Sequence, residues 1–500
     1  MNLAMAFAAS AKRNAGKAAI FWGEHEFSYD LIFSQATQLA AHLRQNLGVK
    51  SSDRVALWLK NCPEFVPALF GILQAGAAVV PINNFLKPNE VNFILADAGI
   101  DVLITDATMS EGLPALSAAR PHLQFWRVEE FSKFTAPQAG LRELTFPERA
   151  ESDLAVIIYT SGTTGRPKGA MLSHGNLLAN VESCRQVLSA VKDDSFVVLL
   201  PMFHSFMLTV GVMLPVLVGG SLLLVKSLHP AKNILLEILQ RRATILPAIP
   251  QFFRSLANAS APKELPLRIC VSGGAPLPAE ILREFNEKMT IPLLEGYGLS
   301  EASPVVSMNP LAGPWKAGSI GVPIPGVEIT VQDDSGQMLD PQQTGEICVR
   351  GGNVMLGYWN QPEETGRVMR HDWLLTGDIG HRDADGYFYI TDRKKDMLLV
   401  NGINVYPREI EEVLYQFPGV KEAAVIGIPD ARRGEQPLAF VAANDGAPME
   451  EKTLLHFVRE KLADYKVPRR VVFLPALPRN ATGKILKTAL RQQAAAEHSS

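Results

Sequence analysis

The sequence predicts a mixed α/β protein: a large N-terminal domain of α/β layers with a β-rich subdomain, and a small, mobile α+β C-terminal domain. Three observations carry this. Helical and extended patterns alternate from Asp30 onward, as they do when buried strands are joined by crossover helices. Between about residues 320 and 392 the helices give way to short strands set off by Gly and Asp. After Asp392 a fresh α/β unit of roughly a hundred residues begins, an ordinary domain size. At 500 residues the chain also exceeds what one core usually serves.

Taken in order, residues 1–11 are mildly apolar, but Lys12 and Arg13 follow the apolar run instead of preceding it, the reverse of a secretory signal. A helix lying on the domain is expected there. Ile32, Ala36, Leu39, Ala40, Leu43 and Leu47 fall on one helical face; 54–59 is an apolar run; 63–75 is helical again; 77–82 and 102–105 read as strands. The alternation resumes after Ser152 with a strand at 154–159, a helix at 231–242 and a buried strand at 267–271. Residues 206–225 contain no charge and reach the ~20-residue length of a membrane span. Pro215 and the pair Gly219-Gly220 interrupt them, so a core helix, a turn and a strand account for the same letters. Peripheral contact with a membrane stays open. The β-rich stretch supplies strands at 327–331, 346–350 and 387–390. The last unit reads as helix 409–417, strand 423–428, helix 450–462, strand 471–474 and a helix from Ile485. Its junction lies in the charged run Asp392-Arg393-Lys394-Lys395-Asp396, which divides the chain into 1–394 and 395–500.

Composition narrows the function. The 48 basic and 51 acidic side chains leave a net charge of -3, without the basic excess of a nucleic-acid binder. Cys62, Cys184, Cys270 and Cys348 lie far apart with no Cys-x-x-Cys, which fits reduced thiols in a cytoplasmic enzyme and argues against structural zinc.

The most informative stretch is 159–169, Tyr-Thr-Ser-Gly-Thr-Thr-Gly-Arg-Pro-Lys-Gly, directly after an apolar strand. Its glycines let successive N–H groups turn inward, while Thr160, Ser161, Thr163, Thr164 and Lys168 add donors, the makings of a phosphate-binding nest. It is not a Walker A loop, because Pro167 precedes the lysine and Gly169 follows it.

With this loop the chain resembles the adenylate-forming superfamily, which includes acyl-CoA synthetases, aryl-CoA ligases, luciferases and peptide-synthetase adenylation domains. The likeness extends through Pro201-Met202-Phe203-His204, Ser272-Gly273-Gly274-Ala275-Pro276, Gly296-Tyr297-Gly298-Leu299-Ser300-Glu301, Thr376-Gly377-Asp378, the 392–396 run, Asn401-Gly402-Ile403-Asn404, and Pro478 with Gly483-Lys484. Ser300 stands where the family more often has Thr, and keeps the hydroxyl.

The resemblance implies ATP, Mg²⁺ and coenzyme A as reaction partners, with Lys484, Glu301 and His204 as catalytic residues. It assigns the metal to Glu301 and Thr160. ATP or AMP falls to Thr160, Ser161, Gly162, Thr163, Thr164, Gly165, Lys168, Gly274, Ala275, Gly296, Tyr297, Gly298, Ser300, Asp378, Arg393 and Lys484. Asp378 takes the ribose hydroxyls, the device acidic residues provide in dinucleotide sites. His204, Phe206, Val210, Gly274, Gly296 and Val305 line the acyl pocket. Asn401 and Gly402 belong to the coenzyme A tunnel, and the small domain turns about Lys395. His174, with Ser173 as helix cap, reads as structural.

The implied acyl pocket offers no carboxylate for an amino group, so a hydrocarbon tail suits it best. The wording around Gly402 and Glu301 looks most like medium- to long-chain fatty acyl-CoA ligases. An aryl-CoA ligase, or a ligase loading an acyl carrier protein, would use the same machinery. A silent acyl-adenylate or nucleotide sensor would be expected to have lost Lys484 or Glu301, and both are present.

Overall fold

The computed structural model describes residues 1–133, 147–160, 167–226, 231–259, 265–430, 432–444, 446, 449–480 and 483–498. Two sheets with parallel centres form the α/β layers of the large domain. In the first, Ala18–Trp22, Ser221–Leu224, Ser195–Val198, Ile245–Ala248, Ile269–Ser272 and Leu293–Gly298 lie side by side in parallel. Antiparallel strands close its edges, His25–Ser28 on one side and Val305–Met308 with Val322–Pro323 on the other. The second sheet orders Gly357–Tyr358, Lys168–Ser173, Leu154–Thr160, Ala78–Pro81, Arg54–Trp58, Val102–Thr105 and Gln124–Arg127. The short apolar runs read from the sequence are these inner strands, covered on both faces as parallel strands must be.

Helices seal the sheets. Ser28 caps the helix Tyr29–Gln45 by accepting from the Leu31 N–H, and the predicted face, Ile32, Ala36, Leu39 and Leu43, is buried. Ser173 and Asn176 form a reciprocal capping box at the start of the helix His174–Val187. His174 accepts from the Leu3 N–H at 3.3 Å, and burial lowers its pKa to about 4, a packed and neutral ring.

The membrane-length segment differs in detail from the expected core helix. Met207–Met213 winds as a π-helix with every residue buried, followed by a short α-helix Leu214–Val218, the turn at Gly219, and the strand Ser221–Leu224. Pro215 has no N–H to return to Gly211, and the Leu214 N–H instead bonds the Thr209 carbonyl five residues back, so the coil widens just before the proline. Among the described residues no helix is long and apolar enough to cross a membrane.

The β-rich subdomain pairs Val327–Gln332, Gly345–Gly351, Trp373–Arg382 and Phe388–Arg393 antiparallel, with Met369–Arg370 at an edge. In the small domain Ile403–Val405, Leu398–Val400, Gly434–Ala443 and Val420–Asp430 form a sheet, with Val471–Phe473 parallel to Gly434–Ala443. Helices Pro407–Tyr415 and Glu451–Arg459 lie by one apolar cluster of this sheet, and Lys487–His498 by another. Both clusters are separate from the large domain's cores.

Candidate active site

A cavity of about 1220 Å³ opens where the C-terminal ends of the parallel strands meet the small domain. Open α/β sheets bind ligands at that end, because the loops there can diverge. The cavity brings together Thr160, Lys168, His204, Gly274, Ala275, Gly296, Tyr297, Gly298, Ser300, Glu301, Asp378, Arg393, Lys395 and Lys484. Ser161, Gly162, Thr163, Thr164 and Gly165 lie outside the described residues.

On one wall the strands Trp373–Arg382 and Phe388–Arg393 are in register at Asp378 and Arg393. The Arg393 guanidinium donates to Asp378 at 3.0 Å, and the Tyr297 hydroxyl donates to the other carboxylate oxygen at 2.5 Å. Asp378 raises the pKa of Arg393, keeping it a cation. Burial, then the carboxylate, pushes the Tyr297 phenol well above its ordinary value, so it stays a donor. Thr376 steadies the turn by accepting from the Asp378 N–H at 3.1 Å. Next to Tyr297, a side chain at Gly298 would meet the Pro304 carbonyl at 2.1 Å, so only glycine lets this wall close on the following turn.

Elsewhere on the cavity Glu301 accepts from the Tyr358 hydroxyl at 2.8 Å. The Lys168 ammonium is paired with Glu364 and lies 5.4 Å from the centre of the Tyr358 ring. Lys168 thus also ties the base of the glycine-rich loop to the helix Pro362–Val368. The hydroxyls of Ser300 and Ser205 are 3.1 Å apart. The Glu301 carboxylate and the Thr160 hydroxyl, both on the cavity, are hard oxygen donors of the kind Mg²⁺ takes, so the residues fit that ion.

Lys484 enters from the small domain on a hairpin. The Asn480 side chain accepts the Lys484 N–H at 2.9 Å, the Asn480 N–H bonds the Lys484 carbonyl at 2.9 Å, and the Leu486 N–H bonds the Pro478 carbonyl at 2.8 Å. Arg479 braces the hairpin by bonding Glu422 at 2.8 Å and the Gly483 carbonyl. Burial lowers the Lys484 pKa to about 8, with Arg393 and Lys395 pressing the same way and Asp378 and Asp396 opposing. His204 is pushed down to about 4, first by burial and then by Lys484. Its Nδ1 accepts from the Phe206 N–H at 3.4 Å, so the neutral ring carries its proton on Nε2.

Of the six residues expected at the acyl end, His204, Phe206, Gly274, Gly296 and Val305 line the cavity. Val210 does not: it is fully buried on the π-helix, because the wider coil packs that position into the core. Asn401 and Gly402 are exposed at the turn between Leu398–Val400 and Ile403–Val405, and neither lines the cavity in this arrangement. Sequence reasoning missed Tyr358, Glu364 and Glu295. The last is a fully buried acid on the cavity wall whose pKa burial raises to about 7, opposed by Arg408 and the Leu277 N–H and assisted by Glu412. An acidic residue in the otherwise apolar strand Leu293–Gly298 was the available signal.

Two family models match the chain, AMP-binding enzyme over residues 7–359 and AMP-binding enzyme C-terminal domain over 409–484. A long-chain-fatty-acid–CoA ligase of Bacillus subtilis is 37% identical over 98% of this chain and 94% of its own length. A feruloyl-CoA synthase of Amycolatopsis is 36% identical over 93% and 94%. Among solved structures, ATP-bound MatB from Rhodopseudomonas palustris superposes with a TM-score of 0.91 at 34% identity, covering 99% of both chains. The apo form of MatB covers the same share at a TM-score of 0.80.

Proposed function

The chain belongs to the AMP-binding enzyme family, and from that premise we propose that it activates a fatty acid with ATP and passes the acyl group to coenzyme A. It is an acid–thiol ligase. In the first half-reaction a carboxylate oxygen of the acid attacks the α-phosphorus of ATP. The bond from that phosphorus to the bridging oxygen breaks, pyrophosphate leaves, and the acyl-adenylate remains. Two anions about 4 Å apart repel by roughly 4 kcal/mol at an effective dielectric near 20, so cations have to gather where they meet.

The observation that carries this reading is the half-buried Lys484 lining the same cavity as the Asp378–Arg393 pair. Asp378 accepts the ribose hydroxyls, Arg393 meets the ribose or a phosphate oxygen, and Tyr297 offers its ring to the adenine beside Gly274 and Ala275. Lys484 stabilises the charge developing between carboxylate and α-phosphate. The glycine-rich loop and Ser300 hold the remaining phosphate oxygens. When bound, Mg²⁺ neutralises phosphate charge, and Glu301 and Thr160 are the residues that hold it. Neutral His204 directs its Nε2 proton toward the acyl carboxylate.

In the second half-reaction the thiolate sulfur of coenzyme A attacks the acyl carbon, the bond to the AMP oxygen breaks, and AMP leaves. The small domain, residues 395–500, turns about Lys395 between the steps, withdrawing Lys484 and carrying Asn401 and Gly402 to the thiol entrance. The apolar side chains at Phe206 and Val305 suit a medium- to long-chain hydrocarbon, and the cytoplasm is the natural location for the reaction. The test is a panel of free acids with ATP and Mg²⁺, following pyrophosphate release with and without coenzyme A. Fatty acids that release pyrophosphate and yield acyl-CoA uphold the reading; ADP as product would exclude it. The feruloyl-CoA synthase likeness favours one second reading, an aryl-CoA ligase, so ferulate belongs in the panel. Product formed only with a carrier protein would identify a different acceptor.

A further inference from the structure

Besides the packing of its helix Pro407–Tyr415 on the strand Phe388–Arg393, where the Arg408 N–H donates to Asp392 at 2.8 Å, the small domain touches the large one through a pair of helices that take no part in the chemistry above. Helices Pro250–Asn258 and Ala279–Lys288 pack together and present one face to it. From the first, the Arg254 guanidinium donates to the Lys421 carbonyl at 2.8 Å and the Val420 carbonyl at 3.3 Å, both at the start of the strand Val420–Asp430. Glu284 on the second helix orients Arg254, 3.4 Å away. In the opposite direction Glu412, on the small-domain helix Pro407–Tyr415, faces the Ala279 N–H at the start of that second helix; burial raises its pKa, and Arg408 and the Ala279 N–H oppose that rise. The N–H groups there have no partner within their own helix and favour an acceptor.

Both contacts cross between domains and neither builds a core. A charged donor on carbonyls is of the stronger class of hydrogen bond and is directional, and an acid set against a helix N-terminus adds a second point of contact. Two contacts, pointing opposite ways and anchored on different elements, fix an orientation that a single contact leaves free to pivot. The Lys484 hairpin meets the same part of the large domain: a side chain at Gly483 would sit 2.3 Å from Ile249, immediately before the Arg254 helix. Closure at the clamp and insertion of the lysine are therefore one motion.

We propose that Arg254 and Glu412 form a two-point clamp holding the small domain in the arrangement that inserts Lys484, and so set the balance between the acid-activating and thiol-acylating half-reactions. They are positioning residues. The consequence for the two half-reactions rests on the reading of Lys484 given above, whereas the clamp itself is a statement about domain arrangement.

The test measures both. Fluorophores are placed at E111C and K452C, exposed positions on the large and small domains. Of the native cysteines Cys184, Cys270 and Cys348 are buried, and burial holds the Cys62 thiol well above its ordinary pKa, so labelling goes to the introduced sites. Energy transfer is recorded for the parent protein, Arg254→Ala and Glu412→Gln, with and without ATP and Mg²⁺. Each variant is then assayed for acid-dependent pyrophosphate exchange and for acyl transfer from a supplied acyl-adenylate. Loss of the closed population together with a fall in exchange on the order of ten-fold, transfer being unchanged or faster, is the expected result. An unaltered distance distribution overturns the clamp whatever Lys484 does. A loss of closure that leaves exchange intact overturns instead the reading of Lys484 and, with it, the proposed consequence.

Discussion

In the large domain the groups facing the cavity are tied to one another: Tyr297 and Arg393 both hold Asp378, and Tyr358 holds Glu301. Across the gap, Lys484 is held by its own hairpin and delivered by a domain whose apolar clusters are entirely its own. The first arrangement is preorganised; it presents the same donors whether or not the small domain is in place. The second is conditional. Burying a lysine among Arg393 and Lys395 is unfavourable for its charged form, which is what the lowered pKa of about 8 expresses. A nucleotide's negative charge offsets that cost, so its arrival favours the charged lysine in the inserted position. Cradle and lid divide the labour, and substitutions in them should fail in different ways.

The sharpest way to break this comparison is Lys484→Ala. Acyl-adenylate formation should fall by roughly 10³-fold, the scale for removing one preorganised charge-stabilising donor. Transfer from a supplied acyl-adenylate to coenzyme A should remain near the parent rate, because the proposed rotation withdraws the lysine before that step. Rapid-quench assays of each half-reaction decide it, and equal loss in both would erase the distinction between lid and cradle. Asp378→Asn attacks the other side. It removes the charge that Arg393 and Tyr297 share and weakens both ribose contacts, so the KM for ATP should rise by about 10- to 100-fold. In the proposed scheme the cradle holds the AMP moiety throughout, so transfer from the acyl-adenylate should weaken as well, and steady-state titrations of both substrates read this out.

A smaller effect separates the two regions by pH. The working form of Lys484 is the ammonium, and its pKa in the closed arrangement is about 8. For a lysine depressed below its ordinary value the charged form is complete well below pH 8 and is lost as the pH rises through it. The kcat/KM for ATP reports the nucleotide-free enzyme. It should therefore decline with a midpoint near 8, about ten-fold for each further pH unit, while transfer from a supplied acyl-adenylate should show no such limb. His204, held down to about 4, stays neutral across this range and contributes no limb of its own.

The cradle was more legible in the sequence than the machinery that closes over it. Strands such as Leu154–Thr160 and Ile269–Ser272 are short apolar runs because both faces are covered, and that signal survives in one dimension. Gly296-Tyr297-Gly298 and Thr376-Gly377-Asp378 stood out through the family resemblance, since a Gly-Asp turn taken alone is usually structural, and both segments line the cavity. Tyr358 did not stand out. It meets Glu301 from 57 residues away, and nothing in Gly357-Tyr358-Trp359 says which acid it faces. Arg254 reaches a carbonyl 167 residues on, and a carbonyl carries no identity in the sequence at all. Val210 misled for the opposite reason: the apolar run around it is real, but the π-helical winding rotates that side chain into the core.

Tyr358→Phe probes the mildest of the differences, how far the cradle depends on bonds that never touch the nucleotide. The substitution keeps the ring beneath Lys168, 5.4 Å from the ammonium, and removes only the hydroxyl that Glu301 accepts at 2.8 Å. Burial, then the carboxylate, keeps that phenol protonated far above neutral pH, so the parent bond is a neutral donor on an anion. Losing it should cost about 1.5 kcal/mol of positioning, roughly ten-fold or a little more. Because Glu301 is the proposed metal carboxylate, the loss should appear as a higher Mg²⁺ concentration for half-maximal pyrophosphate exchange, with AMP binding in the absence of metal unchanged. If AMP binding weakens in parallel, Tyr358 supports the whole wall and not the carboxylate alone, and the cradle is less modular than its hydrogen bonds imply.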